Sequence, residues 1–327
     1  MGPNTADSQL VRSLILILLF CTAPSFALAQ PFPNGPLKIV VPVTAGGAPD
    51  VVSRLVADKL AAKLGQPVIV ENRPGAGERI GAEFVAKAEP DGHTLLVAPP
   101  GALVLAPLLY SKLRYDPTAW VPITILTTGH LVLVARPNIP VATLQELVAL
   151  AKASPGKLSY ASPGAGTPPH LTGEMLKAAA NIETTHVPYK GLAPALTDLL
   201  AGHVDIMFDN LGNSLAHIRD GRLKAIAIAS DKRIVELPDV PAISETYPGF
   251  RSSSWFGVVA PPKTPARIVE KIFVTIAEIL KQPDVEKKLQ ALSFTPVGNS
   301  PSEMAAFLKQ ERERWSAVVA AAGIKPE

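Results

Sequence analysis

The chain is almost without cysteine: its single one, Cys21, stands inside an apolar N-terminal stretch. No intramolecular disulfide is available, and beyond that stretch there is no thiolate nucleophile and no cysteine metal site. Histidine is scarce, six in 327 residues, with no His-Glu-x-x-His and no pair spaced as metal ligands. A Gly-x-Ser-x-Gly elbow is missing too, so the usual signature of a serine hydrolase is absent, and Ser53 and Ser162 have no partner visible in the sequence. Charge is sparse, with 18% charged residues, a net of +3 and no basic stripe or tail, which argues against nucleic acid as a partner. Long apolar runs are lacking. The run Ser13-Leu-Ile-Leu-Ile-Leu-Leu-Phe20 falls well short of the ~20 residues that span a bilayer. The spacing Gly75-Ala-Gly77 to Gly81 is Gly-x-Gly-x-x-x-Gly, not the Gly-x-Gly-x-x-Gly of a dinucleotide turn. Neither a cofactor nor a metal is expected.

What is present begins with an export signal. Arg12 precedes the apolar run, and Ala27-Leu28-Ala29 has the small-x-small pattern of a signal-peptidase site, so residues 1–29 read as a leader cut after Ala29. Cys21 as a lipidated residue is a weaker reading, because Leu-Leu-Phe precedes it where small residues are wanted. With 47% hydrophobic residues, the rest is a globule that relies on core size for stability.

Apolar runs of strand length alternate with helical patterns. Leu37–Val41, Val68–Val70 and Thr94–Val97 read as strands, with helices around Val51–Leu60, closed by Gly65, and from Gly81 to Ala88. A second block repeats the alternation. Strands are expected at Leu158–Ala161, Thr185–Val187, Val204–Phe208 and Leu223–Ala229, and helices at Leu147–Ala153, from Pro168 with Thr167 as cap, and Pro194–Ala201. After strand Phe256–Ala260 only helices are expected, the last from Pro301 to about Ala321. The pattern is α/β, with mostly parallel, doubly wound sheets. Ile125–Ala135 and Ser252–Ala260 serve as outbound and return strands of a two-strand hinge. One lobe is then residues 30–127 plus 256–327 and the other 128–255, an arrangement that closes on a ligand.

Ligands in such sheets sit at the carboxyl ends of strands. Two loops there, Pro42–Asp50 and Ser162–His170, place glycines directly before a helix start, where backbone N–H groups and the helix dipole favour an anion. Thr44, Ser162 and Thr167 add hydroxyl donors, and neither loop carries Arg or Lys. His170 reads equally as a ligand contact and as a loop-ordering residue. Asp209 reads equally as an acceptor for a ligand hydroxyl or amine and as a helix cap. Asp50 in its first helical turn suits loop ordering better than contact with an anion. His93, His186 and His203 fall beside strand ends and read as structural, and Lys190 as solvated.

Five runs carry a family resemblance: Val40-Val-Pro-Val-Thr-Ala-Gly-Gly47, Glu71-Asn-Arg-Pro-Gly-Ala-Gly77, Pro90-Asp-Gly-His-Thr-Leu-Leu96, Val187-Pro-Tyr-Lys-Gly191, and Ala195–Asp205 through Met207-Phe-Asp-Asn210. In this order they resemble the Bug family, the TctC-like solute receptors of tripartite tricarboxylate transporters. The resemblance implies a periplasmic-binding-protein (Venus flytrap, type II-like) fold, a periplasmic location, a monomer, and a small organic carboxylate as ligand. It also implies the membrane permease subunits of such a transporter as partners; a receptor for a sensor kinase is the alternative reading, and an exported hydrolase a more remote one. Carried over by position, the ligand-binding residues are Val43, Thr44, Ala45, Gly46, Gly47 and Asp50 in one lobe and Ser162, Gly164, Ala165, Gly166, Thr167 and His170 in the other. Pro99, Pro100, Gly101 and Asp209 would line the variable part.

The sequence departs from that pattern near the expected pocket. Val43 replaces a usual aromatic residue, Ala45 a proline, and Ala165 an asparagine. Gly77-Glu78-Arg79 stands for Gly-Gly-Asn, and the loop after the third strand, often rich in Ser and Thr, reads Ala98-Pro-Pro-Gly-Ala102. These changes imply a roomier, less polar site, suited to an aromatic or branched acid.

Overall fold

The computed structural model describes residues 32–321, 323, 324 and 326. The chain falls into two units, Met1–Asn34 and Gly35–Glu327. The expected leader and its cut after Ala29 lie outside the described residues, and every described strand and helix belongs to the second unit.

The first block runs β1 (Leu37–Val41), α1 (Ala48–Leu64), β2 (Val68–Asn72), α2 (Arg79–Ala86) and β3 (Thr94–Ala98). A π-helical turn, Gly101–Leu105, then leads into α3 (Ala106–Leu109) and the long strand β4 (Val121–Ala135). The second block runs α4 (Leu144–Ala153), β5 (Ser159–Ser162), α5 (Pro168–Ala180), β6 (Thr185–Pro188), α6 (Leu192–Ala201), β7 (Ile206–Asn210), α7 (Leu211–Arg219) and β8 (Lys224–Ile228). The chain returns through β9 (Ser253–Ala260) and finishes with α8 (Ala266–Leu280), α9 (Pro283–Ala291), β10 (Phe294–Pro296) and α10 (Pro301–Ala321).

The strand order is β2-β1-β3-β9-β4-β7-β5-β6, with β8 and β10 also paired to β4. Each lobe therefore contains the same parallel triplet, second–first–third: β2-β1-β3 and β6-β5-β7. The sheets are less parallel than the alternation suggests, because β9 pairs antiparallel with β3 and β4, and β4 pairs antiparallel with β7, β8 and β10. The crossing strand β4 supplies this mixture. Val121–His130 pair with β9, and Leu131–Ala135 pair with β7.

The expected all-helical tail contains a strand after all. β10 has three residues, too few to show a period, and pairs Phe294 with Gly129 of β4. Phe294 is buried and packs against Phe256 at 5.1 Å between ring centroids.

Local chemistry accounts for most boundaries. β1 is rich in β-branched residues and is buried apart from a partly exposed Lys38, and Pro42 ends its ladder. α1 has Pro49 in its first turn and ends at Gly65 with φ 66°. α4 opens with a capping box between Thr143 and Glu146. One core gathers Leu96, Leu103, Trp255, Leu308 and Trp315; the second lobe has cores around Leu133, Tyr160 and Phe208 on one face and Val134, Leu199 and Met207 on the other. Burying each such large side chain contributes about 1.5–3 kcal/mol.

α10 is fixed by a buried acid. Glu311 accepts from the indoles of Trp255 (3.2 Å) and Trp315 (3.3 Å) and from Arg314 (2.8 Å). Burial works to raise its pKa, but Arg314 and the two indoles outweigh it and hold the carboxyl ionised below its usual range.

Candidate functional site

All six strands of the two parallel triplets end at one cavity of about 660 Å³. The chain after β1 contributes Pro42, Val43, Thr44 and Gly47; after β2, Pro74 to Glu78; after β3, Pro99. From the other lobe come Pro163 to Ala165 and Thr167 after β5, Pro188 to Leu192 from the end of β6, and Asp209, Asn210 and Asn213 from the end of β7 and the start of α7. The carboxyl-end rule for α/β sheets is thus met twice, face to face. Proline punctuates the wall, since Pro42, Pro74, Pro99, Pro163 and Pro188 all lie where a strand of a triplet ends or just beyond.

The loops of the two lobes touch. Gly191 has φ 112°, and a Cβ there would lie 2.7 Å from Thr44 Oγ1, so this contact needs glycine. Beside it, a Cβ on Gly166 would approach the Tyr110 hydroxyl to 3.0 Å.

The loop after β1 is organised by Asp50. Its Oδ2 accepts the Gly46 N–H (2.9 Å) and Arg54 Nε (3.1 Å), and its Oδ1 accepts Asn72 Nδ2 (2.9 Å). Burial pushes this carboxyl up, yet Arg54, the Gly46 amide and Asn72 together bring its pKa below the usual range. Asp50 is 3% exposed and does not line the cavity, so it orders the loop. Gly47 caps α1 with no side-chain hydrogen bond, which leaves the positive end of that helix open toward the cavity.

Different groups organise the loop after β5. Gly166 N–H donates to His170 Nδ1 (3.2 Å), and Gly164 N–H donates to Ser162 Oγ (3.2 Å). Ser162 Oγ also lies 2.7 Å from His186 Nε2, whose ring stacks on His170 (4.1 Å) and Tyr160 (4.7 Å). Burial, then the adjacent His170, push the His186 pKa down to about 4, so its imidazole is neutral at pH 7. The Ser162–His186 contact has the look of a nucleophile and its base. However, Ser162 is fully buried and lies off the cavity wall, so its hydroxyl braces the loop.

Thr167 is the N-cap residue of α5, but its hydroxyl donates to Gly164 O (2.7 Å) and does not cap the helix. Pro168 and Pro169 have no N–H, so the first turn holds little for a cap to satisfy.

Of the residues singled out in the sequence, Val43, Thr44, Gly47, Pro99, Gly164, Ala165, Thr167 and Asp209 line the cavity. Ala45, Gly46, Asp50, Pro100, Gly101, Ser162, Gly166 and His170 stand behind it or beside it. Asp209 is buried and held by Asn213 Nδ2 (2.9 Å) and Ser214 Oγ (2.7 Å); burial, only partly offset by these donors, raises its pKa to about 6. The sequence reading did not nominate Glu78, Tyr110, Asn210 or Asn213, all of which line the wall. Glu78 and Asn210 were within reach, the first as a departure from Gly-Gly-Asn and the second as the last residue of Met207-Phe-Asp-Asn210. Among the described residues, no group of three or more His, Cys, Asp or Glu is placed to hold a metal ion. Nor is any described helix long and apolar enough to cross a membrane.

Residues 52–324 match the family described as the tripartite tricarboxylate transporter family receptor. Protein BugT of Bordetella pertussis is 36% identical over 326 residues, covering 97% of this chain and 99% of that protein. Among solved structures, Rpa4515 of R. palustris with adipate superposes with a TM-score of 0.86 at 34% identity, covering 90% of this chain and 100% of the other. MatC (Rpa3494) from Rhodopseudomonas palustris with bound malate gives 0.83 at 36% identity, covering 88% and 100%. The two-lobed α/β architecture, the cavity where the two triplets meet and these likenesses over nearly the whole chain agree: the protein belongs to the Bug/TctC family of tripartite tricarboxylate transporter receptors.

Proposed function

We propose that this chain is an exported periplasmic receptor that captures a small organic carboxylate between its lobes and delivers it to a tripartite tricarboxylate-type permease. The observation that carries the reading is the cavity between the loops after β1 and β5, with an uncapped helix start at Gly47 on one side and the Gly164–Thr167 loop on the other. Adipate and malate in the related structures fit the same chemistry. Among the described residues the wall contains no arginine, so the carboxylate is held by amides, hydroxyls and dipoles instead of a bidentate ion pair.

Val43, Pro99, Leu131 and Phe256 give the wall an apolar share consistent with an aromatic or branched acid. The hinge belongs on β4 and β9, where β4 passes from β9 to β7 around residues 128–131. That supports the lobe limits of 30–127 plus 256–327 and 128–255.

A thermal-shift screen of the protein from Gln30 onward, against mono-, di- and tricarboxylates, aromatic acids and amino acids, tests the binding reading. A ligand at a hundred times its Kd adds about 2.7 kcal/mol. A saturable shift confined to one carboxylate class is the expected result, and a flat panel would remove the reading. Pull-down with and without the ligand so found separates a permease from a sensor kinase as the partner.

A further inference from the structure

Glu78 is an unusual residue for the place it occupies. It lies just before α2, lines the cavity and is 4% exposed. Its φ is 75°, in left-handed space that glycine enters freely and a glutamate does not. The buried carboxyl accepts the Ala102 N–H (2.9 Å) and makes no ion pair among the described residues. Adjacent Arg79 is engaged elsewhere, over the Tyr110 ring at 3.4 Å from its centroid, with its Nε donating to Ala76 O. Burial raises the Glu78 pKa to about 8 against the opposing pull of the amide. Room for the carboxyl is made by Gly101, where a Cβ would collide with it. The glycine at 101 thus leaves the space that Glu78 fills.

A second feature, on the facing wall, points to the ligand. Asn210 lines the cavity, and its Oδ1 is a buried acceptor without a partner. Its neighbour Asp209 already spends its carboxyl on Asn213 and Ser214. The single cation of the described wall, Lys190, is exposed.

We propose that Glu78 is a specificity-determining residue, a built-in acid on the first-lobe wall. With it the cleft selects monocarboxylates that carry a hydroxyl or ammonium donor at the far end and rejects dicarboxylates of the same length. The proposal rests on the carboxylate-receptor reading above. A ligand hydroxyl or ammonium at the first-lobe side of the cleft meets the Glu78 carboxyl as a donor, and one that reaches the facing lobe satisfies Asn210 Oδ1. A second carboxylate brings acceptors to acceptors. It gains at most one O–H from a protonated Glu78, adds a buried negative charge that no wall cation offsets, and leaves Asn210 unsatisfied. The chain would thus differ from its relatives that hold the dicarboxylates adipate and malate.

The test is calorimetric titration of hexanoate, 6-hydroxyhexanoate, 6-aminohexanoate and adipate into the wild type, Glu78→Gln and Glu78→Gly. Benzoate, 4-hydroxybenzoate and terephthalate form a matched aromatic set. In at least one set, the wild type is expected to bind a donor-bearing monocarboxylate at least tenfold more tightly than the dicarboxylate. Glu78→Gly, which removes the acid and relaxes the turn, should shrink that ratio at least tenfold, with Glu78→Gln between. Melting curves check that each variant is folded. Equal wild-type affinity for dicarboxylate and donor-bearing acid, or a ratio that Glu78→Gly leaves unchanged, overturns the proposal while the receptor reading stands. If no acid of either set binds, the receptor reading fails and the proposal falls with it.

Discussion

The loops after β1 and β5 occupy equivalent places in the two lobes, yet opposite chemistry holds them. In the first, the ionised carboxylate of Asp50 gathers the Gly46 amide, Arg54 and Asn72. In the second, a ring nitrogen and a hydroxyl do the same work, with His170 taking the Gly166 amide and Ser162, braced by His186, taking the Gly164 amide. A backbone shape that offers amides to a ligand can be ordered from behind by either kind of acceptor. What differs is how much each loop loses when its support is removed, and at which pH.

The largest expected effect treats the loops as equals. Gly47→Glu and Ala165→Glu each bring a carboxylate into the cavity from one side, and each should weaken binding of the best acid from the thermal-shift screen at least a hundredfold. Gly47 has φ −71°, which any residue adopts, so the first change leaves the fold intact. Calorimetry showing full affinity in one variant would restrict the grip to the opposite lobe.

Next in size is the charged support. Asp50→Asn should cost about 1.5–3 kcal/mol in urea unfolding, the scale of hydrogen bonds to a charged group. A cost below 0.5 kcal/mol would show that Arg54 and Gly46 find other partners.

Acid should separate the loops further. The folded-state pKa of His186 is lowered to about 4 from 6.5, so between those values the unfolded chain binds more protons than the folded one. Its contribution is complete above pH 6.5 and falls as pH drops toward 4, by roughly 1–2 kcal/mol at pH 5. Asp50, with a lowered pKa, contributes fully above about 3.8 and loses its share only below that. Unfolding at pH 7.5 and 5 should show the decline in the wild type and a smaller one in His186→Gln. Equal slopes in the two proteins would refute the assignment.

Smallest is His170→Ala, which removes the acceptor of the Gly166 amide and should cost about 0.5–1.5 kcal/mol at pH 7.5. If it matched or exceeded Asp50→Asn, the contrast between the two supports would be lost.

Much of this frame was legible before any coordinates. The strand Leu37–Val41 and the helix Pro301–Ala321 stand where period and proline put them, and both glycine loops lie at strand ends facing one cavity. β10 was not legible, because three residues cannot display a repeat and its burial comes from a glycine far away at position 129. The antiparallel share was hidden for a related reason: strand direction is set by the crossing of β4 and β9, not by their composition. In the site, residue type gave the loops but not the direction of side chains. Asp50 and His170 turn back to hold the amides of their own loops, whereas Glu78, in left-handed backbone, reaches the Ala102 amide of a different loop.

The prolines at the strand ends have a further consequence for exchange with water. Each removes an N–H from the rim, so the wall offers no backbone donor at these five points. A solute that enters must give up its hydration shell, and only the positions between these prolines can replace a lost donor. A polar group that lands beside proline is stripped without return. The rim thereby screens solutes by where their polar atoms lie as much as by how many they carry, and it does so with residues that make no polar contact through their side chains.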